Sequence, residues 1–511
     1  MYTKKLPYLV IVTLILVTWY IFLYKLYIPR IAAFGCFDDC FNYLGGYFIL
    51  NGKQLYSQIF FNHQPLMAYI SYLIQLFTQP TNIFELLLRH RQFVLLFSFT
   101  ANLLLLLRFG FFGIGFVFLY ELLKFYLFGE RFLGEGLIVY PLAYLVGIVI
   151  YKYQNKKIYK VDYVVSAICS WFIIFTRIPF LLSTLASFGL IVLGKPFSKV
   201  KQISLITFLL LSLATILIHP VQEYIFNIYT VNTGFFEFGR DMIKSFIYPL
   251  YIFLSGEWNI FRHTLIVLSG VFVVLLIITV KQKQYKSVIA LLAILGLANL
   301  RLVEPGDVFY GAFHMAPWLG VFLFSIFLML QDQFQHKNYK ITALFAIVLI
   351  SLIGYILISP RSYIHEQLNQ HEMLVNNFGN EMQVGEVVKV LSDPDDTLFL
   401  DGFDDLIYWQ AQRLSAYKYS WYTSAMPNFA KYSNTRMKMF KDNPPDFYYG
   451  SCPDERIALG SLSKDILKEY QQLISTDDKP TCLYINKQKL PEITDKQWKQ
   501  AKELLYKLSI N

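Results

Sequence analysis

The chain has 511 residues, of which 56% are hydrophobic and only 16% charged, with a formal net charge of +10 and a mean hydropathy of +0.44. Soluble domains carry nearer a quarter charged residues, so this composition excludes an ordinary soluble protein and points to a chain built largely for lipid. Five cysteines do not make a disulfide scaffold, and the basic excess partly reflects orienting lysines, so it is no evidence for nucleic-acid binding.

Leu6 to Ile28 is an apolar run behind Lys4 and Lys5, long enough to cross the hydrocarbon core. No small-residue cleavage site follows, so it reads as a retained anchor rather than a signal peptide. Ten further apolar runs follow: Phe93–Leu107, Phe111–Phe128, Leu137–Tyr151, Val161–Phe175, Phe180–Leu193, Ile203–Ile218, Thr264–Val280, Ser287–Leu300, Pro317–Leu330 and Ile341–Ser359. Lysine-rich loops at Lys152 to Lys160, Lys195 to Lys201, Lys281 to Lys286 and Lys337 to Lys340 mark the cytoplasmic side. Putting those loops inside with the N-terminus requires an even number of crossings between neighbours, and about eleven spans satisfy this. The expected protein is therefore a multi-pass protein of the cell (plasma or inner) membrane, N-terminus cytoplasmic and C-terminus outside.

The loops assigned outward differ in content from the inner ones. Arg30, Arg89, Arg91, Arg131, Arg177, Arg240, Arg262 and Arg301 all map to the outer side or its edge, with His63, His90, His219, His263 and His314. Lysine suffices for orientation, whereas arginine is the better bidentate partner for phosphate. For any single arginine, interfacial snorkelling is the better reading. The collection, with acids on the same face, favours a site.

The first outward loop, about residues 29–92, opens with Gly35-Cys36-Phe37-Asp38-Asp39-Cys40. From Asp38 the pattern predicts a surface helix running to Leu50 and ending at Asn51-Gly52. The acids would sit at its N-terminus, where exposed N–H groups stabilise negative charge, so an acidic cap and a catalytic base are both open. The spacing of Cys36 and Cys40 permits a bridge that pins the acids without demanding it. Cys169 lies in a span as a small hydrophobe.

After Pro360 the composition turns polar, and residues 361–511 separate from the membrane domain of 1–360 as an outward α/β domain. Strands are predicted at Thr397–Leu400, Asp446–Tyr449 and Cys482–Ile485, and helices near Glu366–Leu391, Asp404–Arg413, Ser463–Ile474 and Asp495–Leu508. The alternation argues a parallel sheet, and Asp393-Pro394-Asp395-Asp396 reads as a turn before a buried strand. No glycine-rich phosphate loop opens a helix. Asp401, Asp404 and Asp405 suggest a helix cap more than a metal site. Cys452 and Cys482 can pair in an oxidising compartment.

Nucleotide sugars are cytoplasmic, so glycosyl transfer on the outer face needs a donor delivered by lipid, a base for the acceptor hydroxyl and cations for the departing phosphate. Asp38 or Asp39 supplies the base, and arginines and histidines of neighbouring loops the cations. The residues Asp38-Asp39, Tyr43, Gly52, Tyr56 and His63-Gln64-Pro65-Leu66 resemble the first external loop of the GT-C glycosyltransferases that use polyprenyl- or dolichyl-phosphate sugars. The likeness is to glycosyltransferase family 39, the protein O-mannosyltransferases, and to the lipid A aminoarabinose transferases. In this superfamily an Asp-Glu pair follows the first span, then a surface helix, a glycine followed by tyrosine, and a proline-leucine step. Counting back from Gly52 aligns Asp38 with the catalytic Asp; counting back from Tyr43 shifts the match by one. Asp39 stands where Glu is usual, and Gln64 replaces the first of a common proline pair.

The resemblance covers about the first 330 residues. It implies an inverting transfer from a polyprenyl-phosphate-sugar donor to an acceptor glycan, lipid or protein, with Asp38 or Asp39 as base. It places Glu135 in the second external loop as a further catalytic acid, with Glu130 as the alternative. Arg89, Arg301 and His314 would contact the donor phosphate, with Tyr310 beside them, and Tyr43, Tyr56 and His63 would shape the substrate loop. Some members use a divalent metal and others do not, and these residues lack a diagnostic metal spacing. A transporter or flippase of lipid-linked glycans, or a glycan ligase resembling the O-antigen ligases, are the alternatives. The first would place acids and arginines inside helices of repeated halves.

Overall fold

The computed structural model describes residues 6–36, 38–194, 198–235, 259–299, 312–402, 406–450 and 464–508. The chain divides into two compact units. Unit one comprises Met1–Pro29, Arg91–Leu217 and Glu237–Leu368; unit two comprises Arg30–His90, Ile218–Phe236 and Asn369–Asn511. The acidic loop and the polar tail therefore belong to one unit, although the membrane helices separate them in sequence.

Unit one is helical. In chain order its helices are α1 (Leu6–Tyr27), then, after the two helices of the acidic loop, α2 (Asp38–Leu50) and α3 (Leu66–Thr78), the shared α4 (Ile83–Phe109) and α5 (Gly113–Leu123). Next come α6 (Gly134–Tyr153), α7 (Lys160–Thr176), α8 (Leu181–Val192) and α9 (Lys199–Leu217). Unit two then takes the short α10 (Val221–Ile225) and α11 (Asn232–Phe235), before unit one resumes with α12 (Ile260–Lys281), α13 (Tyr285–Leu297), α14 (Ala316–Gln335) and α15 (Tyr339–Ile358). All eleven apolar runs are helical. Among the described residues seven helices are long and apolar enough to cross a membrane: Pro7–Arg30, Ile83–Phe109, Gly134–Tyr153, Lys199–Leu217, Ile260–Lys281, Ala312–Gln335 and Tyr339–His365. The other four runs form the shorter α5, α7, α8 and α13, of 11, 17, 12 and 13 residues; the last run continues to Leu300, outside the described residues.

Charges buried between these helices are satisfied in pairs, as apolar surroundings require. Glu121 is fully buried and meets Lys124 Nζ at 2.5 Å, the Tyr140 hydroxyl at 2.7 Å and Asn102 Nδ2 at 2.9 Å. Asp162 accepts both Nε and Nη2 of Arg108 at 2.8 Å and the Tyr144 hydroxyl at 2.7 Å. These two nodes tie α4, α5, α6 and α7 by hydrogen bonds that lipid could not replace.

Unit two is mixed. Its tail holds α16 (Gln370–Leu391), β1 (Thr397–Leu400), α17 (Leu406–Ala411), β2 (Leu414–Ser415), α18 (Ala430–Asp442) and β3 (Phe447–Tyr449). They are followed by α19 (Lys464–Lys468), β4 (Tyr470–Ser475), β5 (Pro480–Asn486), α20 (Asp495–Glu503) and β6 (Tyr506–Leu508). The sheet order is β2-β1-β3-β5-β4-β6. β1 runs parallel to both β2 and β3, while β3–β5, β5–β4 and β4–β6 are antiparallel. The sheet is thus mixed where a parallel one was expected, because β4 and β5 form a hairpin turned at Asp477-Asp478, with Asp478 at φ +65°. The helix expected over Ser463–Ile474 stops at Lys468 and gives way to β4, and the one expected to reach Leu508 stops at Glu503 before β6. In β4 the buried Tyr470 and Leu473 are three residues apart, a helical spacing; a register shift between Gln472 and Ile474 breaks the strand's alternation there.

One aromatic core serves all three segments of unit two: Phe60 from the acidic loop, Val231 from the segment after α9, and Phe399, Tyr417, Tyr432 and Tyr448 from the tail. Polar contacts repeat the connection. Phe60 N donates to Tyr419 O at 2.9 Å, Ser420 Oγ to Gln58 O at 2.7 Å and Trp409 Nε1 to Gln75 Oε1 at 3.0 Å.

Candidate functional site

In unit two the site is built on α2. Asp38 and Asp39 form its first turn, and a disulfide between Cys36 and Cys40 closes the chain around them. The helix ends as its sequence requires, with Gly52 at φ +78°. Nine of its thirteen residues are buried, and α3 is its main neighbour.

The two acids differ. Asp39 is fully buried and accepts the Tyr43 hydroxyl at 3.3 Å and Cys40 N at 3.1 Å. The Asp38 side chain is one-third exposed, and its Oδ2 stands 3.7 Å from His63 Nε2. His63 is held by its surroundings: Tyr56 donates its hydroxyl to the His63 carbonyl at 3.0 Å, and the ring stands edge-on to Phe41 and Phe61, with centroids at 4.9 and 5.7 Å. Phe41 is itself braced by Trp421 of the tail at 5.1 Å.

Tyr56 adopts φ +71° and is fully buried against His219 and Tyr224, and burial pushes its hydroxyl pKa well up. It is a wall of the loop, not a group open to ligand. The turn it supports is fastened by Asn227, on a π-helical stretch from Phe226 to Val231. Asn227 Oδ1 accepts Phe61 N at 3.3 Å and the Tyr432 hydroxyl at 3.2 Å. Tyr43 is also fully buried, its ring 4.3 Å from His90. His90 Nδ1 lies 2.7 Å from Leu86 O, so it carries the hydrogen there, and Nε2 accepts from Ser71 Oγ at 2.8 Å. Arg89, half-buried in unit two, stands one turn from Glu85 on α4.

In unit one Glu135 and His314 are brought together. Glu135 sits in the first turn of α6 with both carboxylate oxygens engaged: Arg177 Nε donates to Oε2 and His314 Nδ1 to Oε1, each at 2.7 Å. Glu135 is fully buried and Arg177 nearly so. One carboxylate thus joins the start of α6, the turn after α7 and the 3₁₀ turn Ala312–Met315 before α14. Gly134 permits this approach, since a Cβ there would lie 2.7 Å from Arg177 Cγ. The alternative acid, Glu130, is paired with Arg91 at 3.5 Å, and burial raises its pKa against that pull. Arg301 and Tyr310 lie outside the described residues.

In the tail, Asp401 is buried and paired with Arg436, and it accepts the Tyr448 hydroxyl at 3.2 Å; Asp404 and Asp405 lie outside the described residues. Among the described residues no group of three His, Cys, Asp or Glu could hold a metal ion. Cys482 is disulfide-bonded, while Cys452 lies outside the described residues, and Cys169 is a free thiol.

No local spacing links the outward Arg177 to its partner; the flanking Gly134-Glu135-Gly136 is the signal in the sequence that something packs closely on Glu135. Trp421 behind Phe41 carried no such signal. Comparison with known protein families, curated proteins and solved structures yields no match.

Proposed function

We propose that this chain is a membrane glycosyltransferase of the GT-C type, moving a sugar from a polyprenyl-phosphate-linked donor to an acceptor hydroxyl with inversion. Asp38 is the base. The observation that carries this reading is the contrast between the acids: Asp39 is sealed against Tyr43, whereas Asp38 is partly open and faces His63. In the proposed step the acceptor hydroxyl gives its proton to Asp38 as its oxygen attacks the anomeric carbon. The bond from that carbon to phosphate oxygen breaks on the opposite face, and polyprenyl phosphate leaves with the electron pair. Arg89, Arg301 and His314 are assigned to the leaving phosphate; Glu135 orients His314 in this assignment by fixing its Nδ1 hydrogen. The same reading includes the eleven-span topology, with a cytoplasmic N-terminus and the tail on the acceptor's side. Acceptor class is a glycan, lipid or protein of the cell envelope.

The test incubates purified protein with radiolabelled polyprenyl-phosphate sugars and envelope acceptors. Losing a general base costs roughly a hundred- to ten-thousandfold in rate, so Asp38→Asn is expected to fall by that order with an unchanged melting temperature. Parental transfer by both Asp38→Asn and Asp39→Asn refutes the base, and no transfer by the parent from any donor refutes the activity.

A further inference from the structure

Three helices of unit two end around a cavity of about 260 Å³. Tyr47, Leu50 and Asn51 come from the end of α2, Gln75, Leu76 and Gln79 from the end of α3, and Trp409 and Gln412 from the end of α17. Among the described residues no charged side chain lines it. The floor is fixed, because Trp409 Nε1 donates to Gln75 Oε1 and Gln75 Nε2 to Tyr43 O at 2.8 Å. The rim is different in kind. Asn51 donates to Tyr47 O at 2.9 Å and Gln412 to Trp409 O at 2.6 Å, each binding the last turn of its own helix. Their carboxamide oxygens accept from no group among the described residues. Helix C-termini carry carbonyl dipoles of negative sign, so three such ends with amide oxygens make a surface that attracts hydrogen-bond donors.

Two backbone conformations sharpen the point. Gln79 has φ +42° and Gln412 φ +55°. The left-handed region is unfavourable for a residue with a Cβ and is the usual place for glycine at a helix end. Glutamine stands at both positions, and both line this cavity. Beside them Leu50 and Leu76 are 40% and 38% exposed, giving apolar walls between polar corners.

We propose that this cavity binds one pyranose ring, a neutral residue of a glycan. Among the described residues the lining holds no cation to meet phosphate or carboxylate and no carboxylate to meet a metal ion. A flat hydrocarbon would strip water from four amides without replacing it. A sugar offers hydroxyl donors at its edge and C–H faces for the leucines, and the volume lies below the range of drug-sized pockets, as one ring requires. As the docking place of an acceptor glycan this deepens the proposed transferase, but the binding itself needs neither donor nor base.

The experiment is saturation-transfer NMR on the full chain in a detergent without a sugar headgroup. The probes are methyl glycosides of glucose, mannose, galactose and N-acetylglucosamine, with cyclohexanol and tetramethylammonium as controls. The expected result is saturable binding of at least one glycoside and of neither control. Gln79→Gly and Gln412→Gly keep the backbone conformation and remove the side chain, so each should weaken binding about three- to tenfold, one hydrogen bond's worth. Their melting temperatures should hold or rise, and Asp38→Asn should bind like the parent even if transfer is lost. Failure of every glycoside to saturate, binding of a control alone, or parental affinity in both glycine variants would overturn the inference.

Discussion

Replacing Glu135 by glutamine tests whether this carboxylate is the clamp of its unit. The change keeps size and shape but exchanges one oxygen for an NH₂, so the remaining oxygen can keep Arg177 Nε while the NH₂ faces His314 Nδ1, which must give up its hydrogen to accept, and Arg177 loses its counter-charge. Breaking a buried ion pair from one side costs about 3–5 kcal/mol. The glutamine oxygen retains one neutral hydrogen bond, worth roughly 1 kcal/mol, which leaves a loss of about 2–4 kcal/mol. At around 2 °C per kcal/mol for a unit of this size, the apparent melting temperature should drop by about 4–8 °C. Unfolding of a membrane protein is commonly irreversible, so parent and variant are compared by intrinsic fluorescence at one scan rate. His314→Gln, which leaves the Arg177 bond intact, should lose less, and the double variant should fall short of the sum because the two share one carboxylate. A Glu135→Gln protein melting with its parent, or strict additivity, would refute the clamp.

Three other outcomes follow from the packing. Gly46→Ala places a Cβ 2.6 Å from Ser71 Oγ and Tyr72 N of α3; overpacking of about 1–3 kcal/mol should outweigh the gain of roughly 1 kcal/mol in helix propensity, lowering the melting temperature. Asn227→Ala leaves Phe61 N and the Tyr432 hydroxyl without that acceptor, at about 1–3 kcal/mol for a buried donor, and should speed amide hydrogen exchange across residues 54–64. His219, stacked on Tyr69 and Tyr224, has its pKa lowered by burial from 6.5 to about 4. Its contribution is therefore complete above pH 6.5 and lost as pH falls toward 4, so His219→Phe should make stability fall less steeply over that window than in the parent.

Local chemistry made α2 legible: acids and a neighbouring cysteine at its start and Asn51-Gly52 at its end delimit it on both sides. The apolar runs likewise mark helical stretches, seven of them in helices long and apolar enough to cross a membrane among the described residues. The tail was harder. Helix Ala430–Asp442 has no clear apolar face in its sequence, because one of its buried positions is Arg436, a charge that makes sense only opposite Asp401. Strand β4 imitated a helix because an irregular register spaces Tyr470 and Leu473 like one. The partners of Asp38 and Glu135 were hidden for another reason: His63 and His314 have no spacing rule that links them to their acids, and only tertiary packing does so.

Unit two is stitched from pieces that the ribosome delivers far apart. The Trp409–Gln75, Ser420–Gln58 and Tyr47–Arg413 bonds span 334, 362 and 366 positions. Such long loops close late and slowly. A nascent chain must therefore carry Phe41 and Phe60 without their final covering by Trp421 and Tyr432 until translation is nearly finished. Proteins shortened before the tail should accordingly be recognised by quality control as unfinished, even with every apolar helix in place.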